Sequence, residues 1–219
     1  MKIKYLGHSC FLVASDDGTK VITDPYITGI PWPPLTYGEI RESADIVTVS
    51  HDHKDHSNIE TVQGNPQVLK GGTKTVIKGI RFKGITTYHD AAGGKVKGEN
   101  TVFICEVDGV RVCHLGDLGH QLNAEQVAEL GRVDILLVPA GGFYTIDANG
   151  ATQLCELLKP KVIIPMHYKT DKLNDTNLGT VDKFLKGKKN VSKLDTSEVE
   201  FTQGNLPTRT QIIVLEPAL

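Results

Sequence analysis

The chain has 219 residues, a formal net charge of −2, 39% hydrophobic residues and 23% charged ones. It is too apolar for intrinsic disorder, lacks the basic excess of a dedicated nucleic-acid-binding surface, and has no apolar run long enough for a membrane span. The expected setting is therefore soluble and the expected partner a small molecule.

The length suits one domain, 1–219, with a substantial core. The opening Met1-Lys2-Ile3-Lys4-Tyr5-Leu6 alternates as a strand does and breaks at Gly7-His8, unlike a signal peptide. Cys10, Cys105, Cys113 and Cys155 show no C-x-x-C spacing, which reads as buried free thiols and a cytoplasmic default. The pattern leaves open whether the chain forms a homo-oligomer.

In chain order, two short strands over 2–14 are joined by Gly7-His8-Ser9, and a third at 20–23 ends in Asp24-Pro25. Proline fixes φ and removes a donor, so Gly29-Ile30-Pro31-Trp32-Pro33-Pro34 is neither helix nor central strand. The 27–40 loop around it covers a site, makes a subunit contact or simply lies on the surface. A strand at 46–49 precedes a short helix near Ser57. Strands follow at 67–69, 75–77, 80–87, 102–107 and 110–114, the last two across the Asp108-Gly109 turn. A helix at 123–130 has Asn123 as its cap, and a strand spans 135–138. A helix at 148–158 stops before Pro160, and a strand spans 162–164. The tail holds a helix near 180–185 and a closing strand at 211–215. Strands with helices inserted between them suit an α/β class, two sheets covered by helices.

The chemistry concentrates in Ser50-His51-Asp52-His53-Lys54-Asp55-His56-Ser57, an H-x-H-x-D-H run straight after an apolar strand. Neutral imidazoles and carboxylates are the ligands that zinc and similar divalent ions take. Two apart on an extended strand end, His51 and His53 point to the same side. Asp55 and His56 lie past the turn and swing back toward a second position, so the run predicts two adjacent metals. Further donors stand at later strand ends: His89, Asp117 and His167. Gly116 lets the backbone turn sharply before Asp117.

In that order, with Gly116-Asp117 as the third part, the chain resembles the metallo-β-lactamase superfamily. Gly7-His8-Ser9, Thr23-Asp24-Pro25, the 141–147 segment and Pro165-Met166-His167-Tyr168 look like its L-ascorbate-6-phosphate lactonase-like branch of metal-dependent hydrolases. The resemblance implies a four-layer αββα sandwich of two mixed β-sheets flanked by helices, with the site along one sheet edge. It implies one metal on His51, His53 and His89 and another on Asp55, His56 and His167, bridged by Asp117. Zinc is the expected ion; the donor types suit manganese or iron as well. Cys113 lies on the strand before Asp117, which argues against a thiolate-ligated zinc. The length argues against the inserted domain of the branch that processes RNA ends.

Asp55, Asp117 and His8 are the expected catalytic residues; His8 faces substrate or supports a ligand, or else is a surface or capping histidine. Asp24 either orients a metal-bound imidazole or makes a plain Asp-Pro turn. Family analogy gives Tyr144, Thr145 and Asp147 substrate or supporting roles, while Asp147 is also a natural helix cap. His114 and His120 read as structural or exposed. The expected reaction is hydrolysis of a phosphoester, phosphodiester or lactone-type substrate by a hydroxide held between two cations. The alternatives are an iron-dependent oxidoreductase of the same fold, against which His53 argues, and a non-catalytic metal-binding protein.

Overall fold

The computed structural model describes residues 1–29 and 34–219. Trp32 and its flanking residues in the 27–40 loop lie outside the described residues. Strands β1 (Lys2–Gly7), β2 (Cys10–Ala14), β3 (Lys20–Thr23), β4 (Ile46–Val49) and β5 (Gln67–Lys70) belong to one sheet. The other receives β6 (Lys74–Ile77), β7 (Ile80–Tyr88), β8 (Glu99–Val107), β9 (Val110–His114), β10 (Ile135–Pro139) and β11 (Val162–Met166). Helices α1 (Ala124–Leu130), α2 (Ala148–Leu158) and α3 (Val181–Leu185) punctuate the second half. The chain closes with β12 (Val191–Lys193), β13 (Glu198–Glu200) and β14 (Gln211–Val214).

Side-chain alternation explains why two sheets must stack. Phe103, Cys105, Val107, Val110 and Val112 of β8 and β9 enter one buried cluster, while Val102, Ile104 and Cys113 enter another. Strands apolar on both faces need cover on both. The first cluster is the interior between the sheets, where these residues meet Ile3, Tyr5, Phe11 and Val13. The second lies under the helices, where Leu154, Cys155 and Phe184 pack on Leu136, Val138 and Ile163. On the outer face of the first sheet, Leu6, Leu12, Ile22 and Val47 lie under Leu35, Tyr37 and Ile40.

Both sheets are mixed, with orders β13-β1-β2-β3-β4-β5 and β12-β14-β11-β10-β9-β8-β7-β6. β3, β4 and β5 run parallel, as do β9, β10, β11 and β14. This is the expected sandwich of two mixed sheets with flanking helices. In place of a helix near Ser57 there is a single 3₁₀ turn, Ile59–Thr61. β12 and β13 are short edge strands within a stretch that reads as polar connections. No helix among the described residues is long and apolar enough to cross a membrane.

Open α/β sheets bind ligands beyond the carboxyl ends of their parallel strands. Here those ends carry Asp24 after β3, His51 to His56 after β4, Asp117 after β9 and His167 after β11. The β1–β2 turn brings His8 to the same edge, and the antiparallel β7 delivers His89.

Candidate metal centre

Asp24 organises the site from behind. It follows β3 with φ 40°, a left-handed conformation rare outside glycine. The Ser50 N–H donates to its Oδ1 (2.8 Å), and the Ser50 hydroxyl donates to its Oδ2 (2.5 Å). His56 Nδ1 lies 2.9 Å from the same Oδ2, and His51 Nδ1 lies 2.9 Å from Ser50 Oγ. Since Ser50 Oγ spends its hydrogen on Asp24, it accepts from His51 Nδ1. Both rings therefore carry a proton on Nδ1 and turn Nε2 forward, the usual arrangement behind ligating histidines.

In front, the nitrogens and carboxylates converge in two groups. His51, His53 and His89 form one; His8, Asp55, His56 and His167 form the other, with donor atoms within 4.8 Å of one another in each. Asp117 Oδ2 stands between them, 3.3 Å from His89 Nε2, 3.2 Å from His167 Nε2, 3.4 Å from His56 Nε2 and 4.0 Å from His51 Nε2. The structure thus brings together all seven residues expected to hold metal.

The donor set fits divalent cations. His51 Nε2 faces His53 Nδ1 at 3.0 Å. In the metal-free chain this is a hydrogen bond from His53 Nδ1–H to the His51 lone pair, and the same spacing suits two nitrogens sharing one cation. Asp117 Oδ1 is buried with no hydrogen-bond partner among the described residues. An orphaned buried carboxylate oxygen is costly unless a cation meets it.

The electrostatics agree. Burial pushes His51 down to about 3 and His8 and His89 to about 4, so these rings are neutral, as a ligand must be. Burial alone would raise Asp117, but His167 and His56 overcome it and hold the carboxyl well below its ordinary range. His56 moves the other way: burial opposes its charge, yet Asp117 and Asp55 raise it well above the ordinary imidazole value. A proton on His56 partly offsets the surrounding carboxylates, and a bound cation would displace it.

Local structure explains how Asp117 reaches the centre. Its N–H donates to Asn100 Oδ1 (2.9 Å), while Asn100 Nδ2 donates to Leu115 O (3.0 Å) and Thr87 Oγ1 (2.8 Å). Gly116 has φ 56°, and a Cβ there would sit 2.4 Å from Asn100 Oδ1 and 2.5 Å from Ser50 Cβ. His114 is a buried brace: Nε2 donates to Ser9 O (2.8 Å), and Nδ1 accepts from the Gly116 N–H (3.1 Å). It ties the turn after His8 to the turn before Asp117. His120 Nε2 accepts from the Tyr88 N–H and its Nδ1 donates to Gln121 O, likewise away from the donor groups.

A cleft of about 440 Å³ opens over the centre. Tyr144 lines it, its hydroxyl donating to Asp175 (2.6 Å). Burial and the Asp175 carboxylate keep that hydroxyl protonated, pushed up to about 12. Thr145 and Asp147 do not line this cleft, contrary to the analogy. The Thr145 hydroxyl donates to Ile146 O, and Asp147 caps α2 by accepting from the Gly150 N–H (2.8 Å). The cysteines are buried, free and in neither donor group; Cys113 belongs to the cluster under the helices.

Sequence reasoning missed Lys97, Asp175, Leu173 and Leu178 in the cleft wall, and Ser50 and Asn100 behind it. Lys97 Nζ donates to Phe143 O (3.2 Å) and Tyr144 O (2.7 Å), across 46 and 47 residues. Its loop is built by Asp90, whose carboxylate accepts from the N–H groups of Ala92, Gly94, Val96 and Lys97. The described part of the 27–40 loop supports the wall: Leu35 bridges to Leu173, and the Thr36 N–H donates to Lys172 O.

Sequence comparison assigns this sandwich, with its donors on one sheet edge, to a family. The family described as the beta-lactamase superfamily domain matches residues 2–167, and the chain belongs to it. A UPF0173 metal-dependent hydrolase of Archaeoglobus fulgidus is 34% identical, over 86% of this chain and 92% of its own. A crystal structure from Thermotoga maritima, of a protein put forward as a Zn-dependent hydrolase of the metallo-β-lactamase superfamily, is 39% identical with a TM-score of 0.80 over 98% of both chains. A Parabacteroides distasonis structure at 19% identity, TM-score 0.64 and coverage of 98% and 93%, shares the fold.

Proposed function

We propose that the chain is a metal-dependent hydrolase working with two divalent cations, zinc first among them, on a small phosphoester, phosphodiester or lactone. The observation that carries this reading is Asp117 Oδ2, set between two groups of ring nitrogens at 3.2–4.0 Å. His51, His53 and His89 would hold one cation and Asp55, His56 and His167 the other, with Asp117 within reach of both groups. The chemistry such a pair of cations would supply is activation of water near neutral pH and polarisation of a carbonyl or phosphoryl oxygen.

The chain's own residues do the rest. Asp24 and Ser50 fix the tautomers of His56 and His51, so no reorganisation is needed as charge develops. Asp55 and Asp117, both held ionised, offer acceptor oxygens at the donor groups that would orient a water there. The cleft volume suits a small molecule. Lys97 and Lys54 in its wall offer positive charge to an anionic substituent, and Leu173 and Leu178 offer apolar contact. No side chain needs to serve as a covalent nucleophile.

The test joins metal analysis to a hydrolysis screen over phosphoesters, phosphodiesters and lactones, with chelation as the control. The expected outcome is two cations per chain and turnover that chelation abolishes and added metal restores. The Asp117→Ala variant should lose both metal and turnover. Wild-type turnover and full metal content in that variant contradict the proposal.

A further inference from the structure

We propose that His8 is a direct ligand of the second cation, alongside Asp55, His56, His167 and the bridging Asp117. The inference rests on the two-cation reading above and deepens it. The sequence places His8 among the catalytic residues but outside the metal-ligand set, because nothing local sets its distance from a run beginning at position 51.

The geometry says more. His8 Nε2 lies 3.1 Å from Asp55 Oδ2 and 3.2 Å from His56 Nε2. Donors bound at about 2.0–2.2 Å to one ion stand roughly 3–4 Å apart, which is the spacing found here. His56 Nδ1 faces Asp24, which turns its Nε2 toward His8 and Asp55, and one cation can meet all three donor atoms.

The backbone holds the ring in place. His8 is 1% exposed and has φ 55°, a conformation that costs free energy in a non-glycine residue and persists only when its surroundings fix it. Here the His8 carbonyl accepts from the Tyr5 hydroxyl (3.0 Å) and from the His167 N–H (3.0 Å). The His8 and His167 rings pack with centroids 4.3 Å apart. Gly7 makes the turn possible, with φ 128° and a Tyr37 ring carbon 2.6 Å from where a Cβ would stand. The turn is thereby locked to the strand that delivers a second ligand.

An asymmetry follows. The second position gains a third imidazole, whereas the first relies on His51, exposed His53, His89 and the shared Asp117. Closed donor sets retain their ion, and open ones keep a position for water or substrate. The second cation is the tightly held one, and the first exchanges more readily.

Loading the whole protein with an NMR-active cadmium isotope tests this directly, because scalar coupling from the metal reaches only the ring protons of bonded histidines. The expected result is one cadmium signal coupled to His8, His56 and His167 and another coupled to His51, His53 and His89. A second-site signal coupled to His56 and His167 alone overturns the inference and leaves the two-cation reading intact. No coupling to any histidine overturns both. In the His8→Gln variant, the cadmium affinity of the second position should fall at least about tenfold, with the first signal and its couplings unchanged. An unchanged affinity counts against ligation.

Discussion

Asp24 shows how much of the centre depends on a side chain outside the donor groups' front rank. It receives three hydrogen bonds, from the Ser50 N–H, the Ser50 hydroxyl and His56 Nδ1, and through Ser50 it also sets His51. Asp24→Ala should therefore weaken both positions at once, by about 10–100-fold, read as metal retained against a competing chelator. Undiminished retention would show that the rings are oriented by packing alone. Asp147 makes the contrast. Its carboxylate caps α2 and nothing in the geometry connects it to the donor atoms. Asp147→Ala should cost about 1 kcal/mol in urea unfolding and leave metal content unchanged. A loss of metal in that variant would restore the supporting role that family analogy gave it.

At the scale of elements, the turns do the positioning. Strand β9 ends at His114, and three residues later Asp117 must face the opposite donors, which the left-handed Gly116 allows. Gly116→Ala forces a Cβ into Asn100 and Ser50 at a φ that alanine resists. It should destabilise the fold by about 1–3 kcal/mol and displace Asp117, so thermal unfolding and metal content should fall together. A stable variant with full metal content would mean the turn has slack. The same contrast between local and distant information explains what could be read from sequence. The strands feeding the site announce themselves by apolar runs, and α1 by Asn123, the expected cap, which also closes a capping box with Gln126. The 51–56 run and the donors at 89, 117 and 167 are legible because each follows a strand. β13 is not: Glu198 and Glu200 find their partners in Lys4 and Lys2 of β1, nearly the whole chain away. Lys97, Ser50 and Asn100 escaped for that reason, and Thr145 entered only through family analogy to the 141–147 segment.

For the whole molecule, burying this many titratable groups at one sheet edge makes stability depend on pH, and the sign can be worked out for the metal-free chain. His8, His51 and His89 have folded values near 4, 3 and 4 against an ordinary 6.5, so the unfolded chain takes up their protons first as pH falls. Their contribution is complete above 6.5 and is lost as pH falls from there toward 3. Asp24, Asp55 and Asp117 are also depressed, so theirs is complete above the ordinary 3.8 and lost below it. His56 is raised; its contribution is complete below 6.5 and lost as pH climbs through its raised value. The limbs meet near 6.5. Urea unfolding of the chelated protein should therefore give a midpoint highest around pH 6.5, falling steadily on the acid side and more gently on the alkaline side. With cations restored, the alkaline limb should flatten, because the ion replaces the His56 proton. The acid limb should steepen, because ligand protonation then releases metal as well. A chelated protein whose midpoint rises from pH 6.5 toward 4 would mean that the buried imidazoles are charged in the metal-free fold, and a cation would then have to displace their protons as it does that of His56.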